Sequence, residues 1–273
     1  MNETHETILF EQHSAFNHIL VTENDRGLRA LWFGRNGVRQ SVIKPGDPGH
    51  LESAYTPAMI AGLALAERLE EVLIIGLGGG VIPRFLRACF PQLRMDVVEL
   101  DPLVVAAAKE FFEYREDPAL RTHVADGRAF LEQCDRQYDA ILLDVAGPDG
   151  PPRALMTCEC LRRVRAALGE EGWLIANVWS RQANPHYDSQ VTTYRHVFES
   201  LHLLDVRGLG NQIFLAGPGR RRLSRKSFSD RVSAFGRLHQ LPLDLTAIVR
   251  GGFRPGETEG REGKILRDSP VAG

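Results

Sequence analysis

The chain has 273 residues, 43% hydrophobic and 25% charged, the composition of a globular protein long enough for one large domain and a small one. With 33 Lys and Arg against 35 Asp and Glu, it offers no electrostatic footing for nucleic acid or a membrane surface. No run approaches the roughly 18 apolar residues of a membrane-spanning helix.

The first 16 residues, MNETHETILFEQHSAF, are acidic and lack a long apolar core, which argues against a signal peptide. Three short strands follow, at 18–23, 28–33 and 38–43, and form an antiparallel meander. Asn36-Gly37 between the last two predicts a two-residue hairpin turn with positive φ at both positions. The prolines and glycines of 44–50 break the chain, and 51–69 has helical apolar spacing.

From there strands and helices alternate. Strands are predicted at 72–76, 94–100, 121–126, 138–144 and 172–179. Helices are predicted at 81–90, 102–112, 127–134, 155–168 and 188–201, with further strands near 203–208 and 211–217. Strands apolar on both faces and alternating with helices predict a Rossmann-like, doubly wound, mostly parallel sheet. Residues 224–248 read as helical, and the Gly/Pro-rich end as a mobile tail. The domains expected are a β-meander at 1–50, a nucleoside-binding catalytic domain at 51–250 and a flexible tail at 251–273. Cys89, Cys134, Cys158 and Cys160 lack zinc-finger spacing and read as free thiols of a reducing cytoplasm, with no metal expected.

The stretch EVLIIGLGGGVIPRFLRACF (71–90) carries the chemistry. In a doubly wound sheet the turn after the first strand brings backbone amides and a helix N-terminus to a ligand. Gly76, Gly78, Gly79 and Gly80 occupy that turn, and Glu99 closes the next strand, where an acid reaches ribose hydroxyls. Asp126 and Asp144 close two further strands, so the three acids are expected to converge on one crevice. That many carboxylates suit a cationic nucleoside, such as the sulfonium of S-adenosylmethionine, better than a pyrophosphate. Asp101 before Pro102 reads as a helix cap, Trp173 and Trp179 as core, and His186 as a surface-loop residue.

These features resemble the spermidine synthase (polyamine aminopropyltransferase) family, from about residue 14 to about residue 250. SAFNHILV and VRQSVI are similar to its N-terminal β-domain, with Gln40 at the family's glutamine, and Tyr55 matches its tyrosine. IGLGGG resembles its glycine turn, VELDPLVV its ribose-binding segment with Glu99 and Leu100, and ADGRAFL its Asp-Gly pair, here Asp126 and Gly127. YDAILLDVAGPDGPP is similar to its catalytic loop. The resemblance implies a class I methyltransferase fold, with decarboxylated S-adenosylmethionine giving an aminopropyl group to a small amine. It further implies Asp144 as the catalytic acid, Tyr55 assisting, no metal, and a homodimer formed through the β-domain.

Three positions depart from the family pattern. Its glycine-turn aspartate falls at Gly79, the second aspartate of its catalytic loop at Gly147, and its histidine at Thr56. The first two remove partners for ammonium groups, so intact S-adenosylmethionine is also a candidate donor, with the Gly79 amide facing its carboxylate. Asp149 is a candidate replacement acid. A methyltransferase on the same scaffold and a non-catalytic nucleoside- or polyamine-binding protein are the alternative readings.

Overall fold

The computed structural model describes residues 6–35, 37–145, 152–208, 210–219, 223–254 and 263–269. Two sheets organise it. The small N-terminal sheet is antiparallel, in the order β1 (Glu6–His13), β2 (His18–Asn24), β3 (Arg29–Phe33), β4 (Val38–Ile43). β1 adds a fourth strand to the expected three. It lies at the sheet edge with Ile8 and Leu9 exposed and a register shift between Ile8 and Phe10, so its sequence lacks clean alternation.

The β3–β4 turn also differs from expectation. The last pair is Phe33 with Val38, so the loop has four residues, and Gly34 takes the positive φ (86°). Gly37 is needed because a side chain there would lie 1.6 Å from the Phe33 carbonyl oxygen. Asn36 lies outside the described residues.

The large sheet runs β12-β10-β11-β9-β8-β5-β6-β7. Its parallel centre comprises β5 (Glu71–Ile75), β6 (Arg94–Glu99), β7 (Leu120–Val124), β8 (Tyr138–Leu143) and β9 (Leu168–Trp179). β11 (Asn211–Gly217) runs antiparallel to β9 and to β10 (Ser200–Asp205), and β12 (Phe253–Arg254) pairs with β10. The run Val72–Ile75 shows why β5 is central. Val72 and Ile74 enter one core with α1 (Tyr55–Leu63), α2 (Val81–Cys89), α7 (Arg225–Leu238) and α8 (Thr246–Gly252). Leu73 and Ile75 enter the other with α4 (Gly127–Gln133), α5 (Cys158–Ala167) and α6 (Tyr187–Val197). A strand covered by helices on both faces must be apolar at every position.

A third cluster docks the small sheet on the large one's helices: Ile19, Val21, Leu31 and Ile43 of the small sheet pack on Val104, Ala107 and Phe112 of α3 (Pro102–Phe111) and the residue after it. Asp101 strengthens this seam. It caps α3 through Leu103 N (2.9 Å), and the fully buried carboxylate also accepts from Ser14 Oγ (2.5 Å) and Asn17 Nδ2 (3.2 Å).

The helix expected over 224–248 is two helices. Gln240 takes φ 49° and Leu241 N bonds back to Gly236 O (2.9 Å), closing α7 with a left-handed cap before Pro242. The tail expected to be mobile is held over 263–269. Leu266 is buried, its carbonyl accepts from Cys158 N (2.8 Å), and its N–H donates to Thr193 Oγ1 (2.9 Å). Asp268 receives two bonds from Arg128 of α4 (2.6 and 2.5 Å). No helix among the described residues is long and apolar enough to cross a membrane.

Candidate active site

The chain leaves β5 towards β6 and later enters β8 on the other side, so β5 and β8 flank the point where strand order reverses. Ligands bind such sheets outside the strands' carboxyl ends at that point. A cavity of about 1060 Å³ lies there. Gln40 and Ser41 of β4, Glu52 and Tyr55, Gly76–Gly78, Glu99, Leu100, Asp126, Gly127 and Asp144 all line it. Asn177, Trp179 and Asn211 complete the side formed by β9 and β11.

The glycines divide by role. Gly76 (φ 98°) allows β8 to approach, since a Cβ there would meet the Asp144 carbonyl oxygen at 2.1 Å. Gly78 (φ 53°) lines the cavity with only Ser41 Oγ near it. Gly79 and Gly80 were expected to bind the nucleoside, and they do not reach the cavity. Phe112 and Ser41 cover Gly79, the Tyr114 ring covers Gly80, and the Gly79 amide donates to Ser41 Oγ (2.8 Å). That amide is therefore not free for a donor carboxylate. Gly127 reflects packing too, because a Cβ would lie 2.6 Å from Ile75 Cγ2.

The three strand-end acids share the cavity, each held differently. Glu99 accepts from Leu77 N (2.9 Å) and Asp101 N (3.0 Å), so it braces the glycine turn it faces. Burial raises its pKa, and these amide bonds partly oppose the rise. Asp126 caps α4 by accepting from Ala129 N (2.9 Å) and stays exposed at the cavity rim. Leu100, which also lines the cavity, is 44% exposed, an apolar surface suited to a flat base. Gln40 donates to Val38 O (3.1 Å).

Asp144 caps no described helix. Its Oδ1 accepts from Asn177 Nδ2 (2.9 Å), and Asn177 Oδ1 accepts from Asn211 Nδ2 (2.9 Å). Enclosure raises the Asp144 pKa, with the Asn177 and Tyr55 hydrogen bonds pulling the other way. Burial and the adjacent Asp144 charge push the Tyr55 phenol well above its ordinary value, so it is a neutral hydrogen-bond donor. A carboxylate with raised pKa in a cleft is suited to accept a proton.

Sequence reasoning missed Ser41, Glu52, Asn177 and Asn211. Trp179, expected in the core, lines the cavity, whereas Trp173 is buried. His186 is exposed and does not line it. Gly147 and Asp149 lie outside the described residues.

The sheet order, with one antiparallel strand inserted near the end of a parallel array, and the strand-end cavity define a class I methyltransferase fold. A probable spermidine synthase from Corynebacterium glutamicum superposes with a TM-score of 0.75 over 98% of this chain and 99% of that one, at 19% identity. Human methyltransferase-like protein 13 in complex with SAH superposes with a TM-score of 0.64 at 28% identity, over 70% of this chain and 94% of that one.

Residues 52–201 match the spermine/spermidine synthase domain. A polyamine aminopropyltransferase of Vibrio vulnificus is 33% identical over 217 residues, 77% of this chain and 72% of that one. The chain belongs to the spermine/spermidine synthase family, a family of transferases. It is also 31% identical over 186 residues to the human eEF1A lysine and N-terminal methyltransferase, spanning 26% of that protein.

Proposed function

We propose that this protein transfers an alkyl group from a sulfonium nucleoside of the S-adenosylmethionine type to a small amine, the aminopropyl group of the decarboxylated donor being the family's default. One observation carries the reading. Asp144, with a raised pKa and Tyr55 beside it, shares a cavity of about 1060 Å³ with the ribose-side acid Glu99. Glu99, Leu100, Asp126, Gly127, Gln40 and the Gly76–Gly78 turn would hold the nucleoside, and the cavity leaves room for an acceptor beyond it.

In the reaction the amine nitrogen uses its lone pair to attack the carbon next to sulfur. The carbon–sulfur bond breaks, and its electrons return to sulfur as a neutral thioether. The nitrogen becomes cationic and sheds a proton. A free amine is mostly protonated at neutral pH, so a carboxylate must hold it and take that proton. Asp144 fits this role, and the neutral Tyr55 hydroxyl donates to it.

Methyl transfer from intact S-adenosylmethionine is the second reading. It is favoured by position 79, where Ser41 and Phe112 fill the space an acid would need, so no carboxylate stands there to pair with an ammonium or to repel a carboxylate. Incubation with putrescine and each donor, followed by mass spectrometry, separates the two. Aminopropyl transfer adds about 57 Da and methyl transfer about 14 Da, from the atoms moved. Ligand-induced stabilisation without either product would overturn both and leave a binding protein.

The reading includes a cytoplasmic location, supported by four free cysteines, and a homodimer through the N-terminal sheet, whose β1 edge leaves Ile8 and Leu9 exposed. Sedimentation of Ile8→Glu against the unmodified chain tests the dimer. An unchanged mass would refute that interface.

A further inference from the structure

The line Asp144–Asn177–Asn211 crosses three neighbouring strand ends. β8 pairs with β9 through Leu143 and Ala176, which brings Asp144 and Asn177, the next residue on each, side by side. β9 pairs with β11 through Asn177 and Ile213 and through Trp179 and Asn211, so Asn211 stands diagonally from Asn177 on the same face. Parallel strands bring only their carboxyl ends to this rim. The antiparallel β11 brings its first residue, and that residue is Asn211.

A side-chain amide can turn either its oxygen or its NH2 towards a neighbour. At Asn177 the choice is made by Asp144, whose ionised carboxylate only accepts, so the Asn177 NH2 donates to Asp144 Oδ1 (2.9 Å). The Asn177 Oδ1 then faces the other way, where it is held by Asn211 Nδ2, which donates to it (2.9 Å). Donation to a carboxylate favours the ionised form. It also engages Oδ1 and leaves Oδ2 for an incoming amine.

We infer that Asn177 and Asn211 are positioning residues for Asp144, a two-amide relay that holds its carboxylate ionised with one oxygen presented to the acceptor. The inference rests on the proposed transfer for its purpose, and on the three side chains alone for its geometry. Tyr55 of α1 and Asn177 of β9 are the polar groups against the carboxyl. Arg39, Glu52, Glu99, Asp126 and Arg207 are the other charged residues lining the cavity.

The test reads the carboxyl itself. With 13C-labelled aspartate, the Asp144 resonance is assigned by its loss in Asp144→Asn and titrated against pH. Asn177→Leu, close in shape but without a donor, should raise the midpoint by about one pH unit or more, the worth of a hydrogen bond to a charged group. Asn211→Ala removes the donor that anchors the Asn177 oxygen, so the amide is held less firmly against Asp144 and the midpoint should rise by less, while Asn211→Ser, which keeps a donor, should restore it. A midpoint unmoved within ~0.3 unit in an Asn177→Leu protein that melts like the unmodified chain would overturn the relay. Should that variant not fold, an unmoved midpoint in Asn211→Ala, at the half-buried start of β11, is equally fatal. The readout needs no turnover, so a chain with the stated shifts and no transferase activity would refute the proposed function and keep the relay.

Discussion

Gly76 and Gly78 lie two residues apart in one turn, and the structure assigns them different penalties on substitution by alanine. At Gly76 the φ of 98° is one that L-residues avoid, at a cost of about 1–2 kcal/mol. The new methyl would also sit 2.1 Å from the Asp144 carbonyl oxygen, an atom of the backbone that cannot rotate aside. Either β5 and β8 part, losing the Asp144 N to Ile75 O bond (2.9 Å), or strain is stored. The whole is worth about 4 kcal/mol. At Gly78 the φ is 53° and the methyl meets only Ser41 Oγ at 2.8 Å, which can swing away for about 1–2 kcal/mol in all. At ~2–4 °C per kcal/mol in a chain this size, Gly76→Ala should melt about 8–16 °C below the unmodified protein and Gly78→Ala about 2–8 °C below. Differential scanning calorimetry reads both. Equal losses, or a tolerated Gly76→Ala, would refute the claim that β8, not a ligand, requires a glycine at 76.

Asp101→Ala removes the α3 cap and leaves the Ser14 and Asn17 donors without their acceptor. It should cost about 2–3 kcal/mol in urea unfolding, and a loss below about 1 kcal/mol would deny that this carboxylate joins the two sheets. The Arg128 hydrogen bonds hold the Asp268 pKa below its ordinary value. Its stabilisation is therefore present above the unfolded-state value and lost as pH falls through the folded one. The stability gap between the unmodified chain and Asp268→Asn should be constant near neutrality and close in acid, and a gap that widens in acid would contradict this. Glu99 has the opposite sign. Its raised pKa means that protonation begins above the ordinary glutamate range, so S-adenosylhomocysteine affinity, measured by calorimetry, should weaken on acidification earlier than an unperturbed carboxylate would allow. Glu99→Gln should bind more weakly at neutral pH and lose that pH dependence.

Much of the scaffold was legible because local signals agreed with the tertiary demand. Val72–Ile75 is apolar at every position because both faces are covered. Asp101-Pro102 and Asp126-Gly127 mark helix starts with the side chains that cap them. The acids Glu99, Asp126 and Asp144 were legible as strand-end residues, and the cavity brings them together. What escaped depends on partners distant in sequence. Nothing local says that Phe112 and Tyr114 fill the space beside Gly79 and Gly80, or that β11 sets Asn211 diagonal to Asn177. The 263–269 segment reads as a polar tail, yet Thr192, Thr193, Glu159 and Arg128 hold it through bonds that composition does not announce. Strand β1 was hidden for the opposite reason: an edge strand with exposed Ile8 and Leu9 has no buried face to enforce alternation.

The small sheet is part of the site's chemistry. Ser41 lies against the glycine turn, its Oγ taking the Gly79 amide and its Cβ 2.9 Å from where a residue-79 Cβ would be. On the other side of that position stands Phe112, fully buried in the seam where the sheet meets α3. An aspartate at 79 would have to displace a core aromatic and a strand residue of the small sheet together. The glycine is thus fixed by the docking of the small sheet, and the absence of an acid there follows from the same packing that builds the cavity wall. Restoring the acid alone should destabilise the fold before it could alter donor preference. A change of donor preference would need position 79, Ser41 and Phe112 altered as a set.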